Sequence, residues 1–295
     1  MLLKFEHIKK TYGKNKPAPR DFDMELKEGI YAILGPNGSG KSTLMNILAG
    51  VLTPSEGRIT LDGKDIKAMG GDYRRILGYL PQQPGFYDNF SCMELMEYFA
   101  SLKGLKKPGE RIRELLTCVN LYDQRKTRYG AFSGGMKRRL GVAVALLNDP
   151  LILILDEPTA GLDPKERVRF RNIISGLGKE KIIIYATHIV SDVEDIADHV
   201  ILLKEGDVIC SSFVTEAEAS MKGRVWLLDT TASFADEYTS VHMNSRTVKN
   251  GEGIKLRIVS DTRPFEDAYN TEAELEDLYM YYFEESGKPD NDIQI

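Results

Sequence analysis

The stretch Gly35-Pro36-Asn37-Gly38-Ser39-Gly40-Lys41-Ser42-Thr43 decides the fold of this chain. It has a glycine, four intervening residues and then Gly-Lys-Ser, which is the spacing of a loop that wraps phosphate groups. An apolar run, Tyr31–Leu34, precedes it, and a helix-like run, Thr43–Ala49, follows it. The glycines let backbone N–H groups approach phosphate oxygens, and the helix N-terminus adds its positive end. We therefore predict a strand, a phosphate loop and a helix, rather than a chance glycine-rich turn. Lys41 is expected to reach the β- and γ-phosphates, and the Ser42 hydroxyl to bind Mg²⁺.

Two acidic residues follow a second apolar run. Leu151–Leu155 leads directly into Asp156-Glu157-Pro158. In phosphate-loop enzymes a carboxylate at this place holds Mg²⁺, directly or through water, and we assign that role to Asp156. Because neighbours on an extended chain alternate in direction, Glu157 is expected to point elsewhere and to act as general base toward the attacking water. A plain solvated strand end would also carry acids, but the phosphate loop in the same chain favours the catalytic interpretation.

A third segment, Phe132-Ser133-Gly134-Gly135-Met136, opens a helical run that continues through Leu140–Leu147. Ser133 suits the N-cap position, and the two glycines permit close backbone approach to an anion. The segment alone is also compatible with an ordinary helix cap. If it does bind an anion, that anion is either another phosphate of the same nucleotide or a phosphate held by a partner.

The apolar pattern predicts an α/β fold. Ile182–Tyr185 and Val200–Leu203 are apolar runs without polar alternation, as expected for strands covered on both faces. Leu2–Ile8 and Arg58–Leu61 alternate more and indicate an antiparallel β layer. We predict a phosphate-loop NTPase domain over residues 1–212. It combines that β layer, a mixed or parallel core sheet, and a helical subdomain at about 87–150.

Composition and charge limit the function classes. The 295 residues are 28% charged and 42% hydrophobic, close to the averages of globular proteins. The longest apolar candidate, Leu140–Leu155, is interrupted at residues 148–150, so no segment is expected to cross a bilayer. Residues 221–295 carry 8 Lys+Arg and 15 Asp+Glu, a net charge of −7. They predict a separate, acidic α+β accessory domain, and the chain lacks the strong basic excess of nucleic-acid-binding proteins.

Taken in order, these motifs resemble those of ATP-binding cassette (ABC) ATPases. The sequence has a phosphate loop, a glutamine loop at Tyr79-Leu80-Pro81-Gln82, a Ser-Gly-Gly signature, an Asp-Glu strand, a Gly161-Leu162-Asp163 loop and a histidine at Ala186-Thr187-His188. The resemblance covers Tyr12 to His188, and it implies ATP and Mg²⁺ as ligands.

The resemblance also implies roles for further residues. Tyr12 would stack on adenine, although it could be an ordinary aromatic of the β layer. Gln82, favoured over Gln83 by its Leu-Pro-Gln context, would sense Mg²⁺ and the γ-phosphate. Asp163 would contact a partner subunit, and His188 the γ-phosphate. The implied catalytic residues are Glu157, His188 and Gln82, and the implied metal ligands are Ser42, Gln82 and Asp156. The implied nucleotide-binding set is Tyr12, Gly35, Pro36, Asn37, Gly38, Ser39, Gly40, Lys41, Ser42, Thr43, Ser133, Gly134, Gly135 and Asp163.

The signature departs from the common Leu-Ser-Gly-Gly-Gln, because Phe132 and Met136 occupy its first and last positions. The run Ser-Gly-Gly-Met-Lys-Arg-Arg, residues 133–139, is similar to that of cassettes that export drugs, antibiotics and lipids. Met136 cannot make the hydrogen bonds of a glutamine. Ser133, Gly135 and Glu157 are retained, so we expect a site that hydrolyses ATP.

The family resemblance implies two partners. One is a second ABC ATPase subunit, identical or related, and the other is a separately encoded integral membrane permease. The protein would then be cytoplasmic and peripheral on the inner face of the cell membrane. The alternative is a soluble ABC ATPase acting on nucleic acid or ribosomes. Such proteins usually carry two cassettes or coiled-coil insertions, neither of which the sequence indicates, so no nucleic-acid partner is expected.

Overall fold

The computed structural model describes residues 1–13, 17–178, 180–250 and 253–283. Contacts between Cα atoms divide the chain into two compact units, Met1–Ser211 and Ser212–Ile295. The domain limits expected from the sequence, 1–212 and 221–295, remain predictions. Residues 284–295 of the second domain lie outside the described residues.

The first unit contains two sheets. One has four strands in the order β2-β1-β4-β5 and is antiparallel. The other has six strands in the order β10-β9-β3-β8-β7-β6, of which β9, β3, β8, β7 and β6 are parallel to one another. The strands are β1 Leu3–Lys9, β2 Phe22–Leu26, β3 Gly29–Leu34, β4 Glu56–Leu61, β5 Lys64–Asp65, β6 Leu77–Leu80, β7 Ile152–Asp156, β8 Ile182–Thr187, β9 His199–Lys204 and β10 Asp207–Phe213.

Seven α-helices and two short 3₁₀ helices, Tyr129–Ala131 and Val190–Asp192, complete this unit among the described residues. The α-helices are α1 Lys41–Leu48, α2 Ile66–Met69, α3 Gly71–Arg75, α4 Cys92–Leu102, α5 Gly109–Cys118, α6 Gly134–Ala145 and α7 Pro164–Ser175. Helices α4, α5 and α6 contact one another and lie within the span predicted to be helical. Helix α4 begins with a reciprocal capping box in which Ser91 and Glu94 each bond the other's backbone N–H.

Burial explains why the central strands are almost entirely apolar before their last residues. All residues of β3, β7 and β8 are buried, so no position needs a polar side chain facing water. By contrast, β1 alternates between buried and more exposed positions, as expected when one face of a sheet covers a core. One core cluster joins residues of both sheets with Leu44, Met45 and Leu48 of α1. Helix α1, and with it the phosphate loop, is therefore anchored by a core that both sheets share.

The second unit has its own core. Its sheet is antiparallel in the order β12-β13-β11-β14, and helix α9 packs on it through Ala235 against Leu256 and Ile258. Arg257 and Asp277 form a buried, two-pronged ion pair that ties β13 to α10. The elements are α8 Val214–Ser220, β11 Val225–Thr230, α9 Ala232–Val241, β12 Ser245–Asn250, β13 Gly253–Val259, β14 Tyr269–Asn270 and α10 Leu275–Phe283.

The apolar pattern located the strongly buried strands, but it did not reveal β2, β6, β12 or helix α9. Strand β6 is only four residues long and includes Gly78, whose lack of a side chain is required by packing. A Cβ there would lie 2.5 Å from the Ala145 carbonyl oxygen. Strand β12 carries polar residues at most positions, because it is an edge strand of its sheet.

We predict that residues 1–211 fold without the remainder of the chain. Strand β10 lies at the edge of the six-stranded sheet, so a chain ending at Ser211 keeps the rest of that sheet intact. Its thermal unfolding should be cooperative when followed by circular dichroism. A chain ending at Asp198 is the matched control, since it also loses β9, which pairs with β3, and it should not fold. An insoluble or non-cooperative 1–211 chain would show that the first unit depends on residues 212–295.

Candidate functional site

The predicted site residues follow the carboxyl ends of four parallel strands. Pairing aligns Leu34 of β3 with Thr187 of β8, and Asp156 of β7 with Ala186 of β8. Strand β6 is in register with β7 through Leu80 and Leu155. The phosphate loop, His188, Glu157 and the Gln82 loop therefore leave the sheet at one edge. Ligands bind at this edge in open α/β sheets.

The phosphate loop has the backbone geometry of an anion cradle. Gly38 and Gly40 adopt left-handed φ values of 83° and 106°, which side chains disfavour. At Gly35 a Cβ would lie 2.2 Å from the Leu203 carbonyl oxygen, so the loop can pass β9 only as glycine. Ser39 is buried, and its hydroxyl has no hydrogen-bond partner among the described residues. An unpartnered buried hydroxyl in such a loop fits a site that binds phosphate oxygens.

Lys41 is buried at the start of α1, where its ammonium group donates to the carbonyl oxygens of Gly35, at 2.6 Å, and Pro36, at 3.1 Å. Burial lowers its pKa, while Glu157 and Asp156 act in the opposite direction through space. The cation is thus held inside the loop by neutral carbonyls.

The Ser42 hydroxyl donates to an Asp156 carboxylate oxygen at 3.2 Å. Burial raises the pKa of Asp156, and the hydrogen bond from Ser42 partly offsets this effect. A hydroxyl and a carboxylate at this separation suit Mg²⁺, which takes oxygen ligands and commonly binds through one or two carboxylates together with substrate phosphates. No cluster of three metal-binding side chains occurs in the described part of the chain.

Glu157 lies just beyond β7 and not on an extended segment, contrary to the strand alternation expected from the sequence. Its φ of 49° is left-handed, and its N–H donates to the Ala186 carbonyl at 2.9 Å. One carboxylate oxygen lies 2.8 Å from Nδ1 of His188, and the other accepts from the Thr187 hydroxyl at 3.4 Å. Glu157 is buried, whereas the His188 side chain is half-exposed. The fold thus brings the predicted base and the predicted phosphate-sensing histidine into contact.

Tyr12 is exposed and lies beside the phosphate-loop helix, because its hydroxyl is 3.3 Å from that of Thr43. An exposed aromatic ring at this place can stack on a base. Its stacking on adenine remains a prediction.

The signature residues make no hydrogen bond to Gly35–Thr43 within the described part of the chain. Ser133 caps α6 by accepting from the Met136 N–H at 3.2 Å. A Cβ on Gly134 would meet nothing within 4 Å, whereas one on Gly135 would lie 2.8 Å from a Glu166 carboxylate oxygen. Gly135 therefore lies against the end of the flexible Glu166 side chain of α7, which would have to move aside for a larger residue. Asp163 caps α7 by accepting from the Glu166 N–H at 2.9 Å.

Two buried charged residues at the site escaped the sequence analysis. Asp192 accepts from the Thr159 hydroxyl and pairs with Arg167 at 3.5 Å, and Arg167 in turn donates to the Leu162 carbonyl at 3.3 Å. This network joins the segments after β7 and β8 to α7. Arg138 of α6 donates to the carbonyls of Pro81 and Gln82. Neither residue stands out in the sequence, because Asp192 does not directly follow a strand and Arg138 lies in a run of three basic residues.

Comparison with known proteins agrees with this geometry. The ABC transporter family pattern matches residues 20–160. The lantibiotic transport ATP-binding protein SrtF of Streptococcus pyogenes is 38% identical over 210 residues, which cover 70% of this chain and 89% of that protein. The linearmycin resistance ATP-binding protein LnrL of Bacillus subtilis is 30% identical over 266 residues, covering 87% and 85%. A bacterial ABC transporter cassette solved as a dimer superimposes with a TM-score of 0.65 at 27% identity, covering 72% of this chain and 98% of that one.

We predict opposite effects of two serine-to-alanine substitutions. Ser39→Ala removes a buried, unpartnered hydroxyl, so the free energy of unfolding should stay level or rise by up to about 1 kcal/mol. Nucleotide binding should weaken about fivefold through loss of one hydrogen bond. Ser91→Ala is the control: it removes the α4 cap, should lower stability by about 1 kcal/mol, and should leave nucleotide binding unchanged. Urea unfolding and titration with a fluorescent ATP analogue measure both quantities. A destabilised Ser39→Ala variant with normal binding would contradict the assignment.

Proposed function

The chain belongs to the ABC transporter family of ATP-binding proteins, and from that membership we propose that it drives a membrane exporter by binding and hydrolysing ATP. As a member of this family it is an ATPase. The observation that carries the mechanism is the convergence of Lys41, Ser42, Asp156, Glu157 and His188 at one edge of the parallel sheet. The antibiotic-related names of SrtF and LnrL support export as the direction of transport.

In this mechanism the phosphate loop binds the triphosphate through its backbone N–H groups, and Lys41 neutralises charge on the β- and γ-phosphates. Ser42 and Asp156 hold Mg²⁺, with Gln82 as a further ligand. Bound Mg²⁺ supplies positive charge that offsets the charge developing on the transferred phosphoryl group. Glu157 orients the attacking water and accepts its proton, and His188 contacts the γ-phosphate. The contact between Glu157 and His188 keeps these two groups on the same side of the site.

We propose that two such chains, or this chain and a related one, bind two nucleotides between them. Each nucleotide would lie between the phosphate loop of one subunit and Ser133–Gly135 of the other, with Asp163 near the contact. The dimeric cassette that this chain resembles supports this arrangement.

We further propose that a separate membrane subunit forms the translocation path and holds this chain at the inner face of the cell membrane. Among the described residues no helix is long and apolar enough to span a bilayer. The runner-up function, a cassette acting on nucleic acid or ribosomes, has no comparable support from the relatives named above.

Replacing Glu157 by glutamine should keep ATP binding and lower the turnover number by about 10²–10⁴-fold, because the amide has nearly the same shape but is not a base. Glu205→Gln is a matched control. Glu205 is also left-handed, with φ of 50°, but it lies in the β9–β10 turn and pairs with Arg20, so turnover should be unchanged. Phosphate release measures turnover. Near-normal ATPase activity of the Glu157→Gln protein would exclude Glu157 as the base.

Mixing two inactive variants tests the shared site. A Lys41→Ala subunit and a Ser133→Arg subunit together retain one site with an intact phosphate loop and an intact signature, provided that the signature acts on the partner's nucleotide. ATPase activity should reappear in the mixture and be absent from either variant alone. Mixed dimers that form, bind ATP and show no single-turnover hydrolysis would contradict the shared arrangement.

A further inference from the structure

The loop that follows β6 is held by the signature helix α6 and by the residues just before it. The carbonyl oxygens of Pro81 and Gln82 both accept hydrogen bonds from one guanidinium nitrogen, Nη1 of Arg138. The Tyr129 hydroxyl donates to the Pro84 carbonyl at 2.8 Å. Helix α6 also packs tightly on the same loop at Gly141. A Cβ at that position would lie 2.6 Å from Leu80 Cδ1 and 3.2 Å from Pro84 Cγ.

Arg138 differs from the basic residues on either side of it. Lys137 is partly exposed, lies 3.9 Å from Asp88 and stands over the Tyr129 ring. Arg139 pairs with Glu166 at 2.9 Å and donates to carbonyls at the end of α5. Arg138 is only 6% exposed, and within the described residues it donates two hydrogen bonds, both to the loop after β6. The position of its guanidinium is therefore set by Pro81 and Gln82.

Burying an arginine is costly unless its donors are satisfied. Desolvation lowers the pKa of Arg138, whereas Asp156 and Glu157 raise it through space. The charge thus lies within the field of both acidic residues of the site. The buried guanidinium of Arg138 is stabilised by two carbonyl acceptors and by two nearby carboxylates. Its hydrogen bonds also fix the position of the loop after β6.

We propose that Arg138 is the positioning residue for Gln82. Holding the Gln82 carbonyl fixes the direction in which the Gln82 side chain leaves the end of β6, next to Asp156 at the end of β7. Arg138 itself does not touch the nucleotide. This inference rests on the proposed role of Gln82.

The proposal predicts a graded series of variants. Both hydrogen bonds of Arg138 come from one nitrogen, so a lysine ammonium could replace them in part, although its shorter and more flexible stem fixes the donor less well. Arg138→Met keeps a long apolar stem but removes all donors, and Arg138→Lys keeps the charge. Lys137→Met is the matched control, since it removes a positive charge one residue away on the same helix.

Amide hydrogen exchange of the nucleotide-free full-length protein gives a readout independent of turnover. A peptide covering residues 80–86 should exchange faster in Arg138→Met and be partly restored in Arg138→Lys. It should be unaffected in Lys137→Met. Peptides from α1 and β7 should keep their protection in all three variants. Unchanged exchange at residues 80–86 in Arg138→Met would overturn the proposal.

A double-mutant cycle on ATPase activity then connects the anchor to Gln82. Arg138→Met should lower the turnover number about tenfold, the lower end of the range for residues that orient a metal ligand. In a Gln82→Ala background, Arg138→Met should lower the turnover number by less than about twofold, because there is no metal ligand left to position. Equal losses in both backgrounds would mean that Arg138 supports the fold in general, and would overturn the proposal.

These experiments distinguish a failure of the role proposed for Arg138 from a failure of the proposed ATPase mechanism. If Arg138→Met does not fold, the cycle is run with Arg138→Lys, which retains the buried charge. If Gln82→Ala itself hydrolyses ATP at the normal rate, the roles of Gln82 and Arg138 both fall. The ATPase assignment is then still judged separately by Glu157→Gln.

Discussion

The parallel alignment of β3, β8, β7 and β6 is the constraint on which the site depends. Their pairing brings four loops to one edge, although the loops are spread along the chain from Gly35 to His188. Because strand side chains alternate between faces, a slip of one residue in β7 would exchange the directions of its side chains, including Asp156. Because every residue of β3, β7 and β8 is buried, an alternation of buried and exposed positions does little to prevent such a slip. The shape of the core above and below the sheet opposes it instead. The apolar core thus determines where the charged groups lie.

Three of the buried charges of the site are held by neutral groups, whereas Asp192 pairs with Arg167. Lys41 donates to loop carbonyls, Asp156 accepts from the Ser42 hydroxyl, and Arg138 donates to carbonyls. Within the described residues, no ion pair joins any two of these three groups. Lys41 and Asp156 therefore remain able to act on a ligand without first breaking a salt bridge. Charges and dipoles fixed in advance in a water-poor site stabilise developing charge more effectively than groups that must reorganise.

Much of this arrangement could be predicted from the sequence because its signals are local. The phosphate loop combines its spacing with an apolar strand on one side and a helix on the other, and Asp156-Glu157 ends an apolar run. What could not be predicted depends on contacts between distant segments. Nothing near Arg138 in the sequence indicates that it bonds residues almost 60 positions earlier, and nothing near Gly135 shows that Glu166 will pack on it.

Local rules also failed where the backbone leaves regular structure. Strand alternation was extended one residue too far at Glu157, because the strand ends at Asp156 and the next residue turns left-handed. A left-handed conformation costs a residue with a side chain about 1–2 kcal/mol, and glycine or asparagine adopts it more readily. A glutamate at this position therefore lowers the stability of the fold, and its catalytic role is the reason to keep it. If a lineage carrying this fold were released from the need for turnover, selection for stability alone would favour glycine or asparagine here. The first mark of a cassette that has become a purely nucleotide-binding protein should therefore appear at position 157, before any change in the phosphate loop.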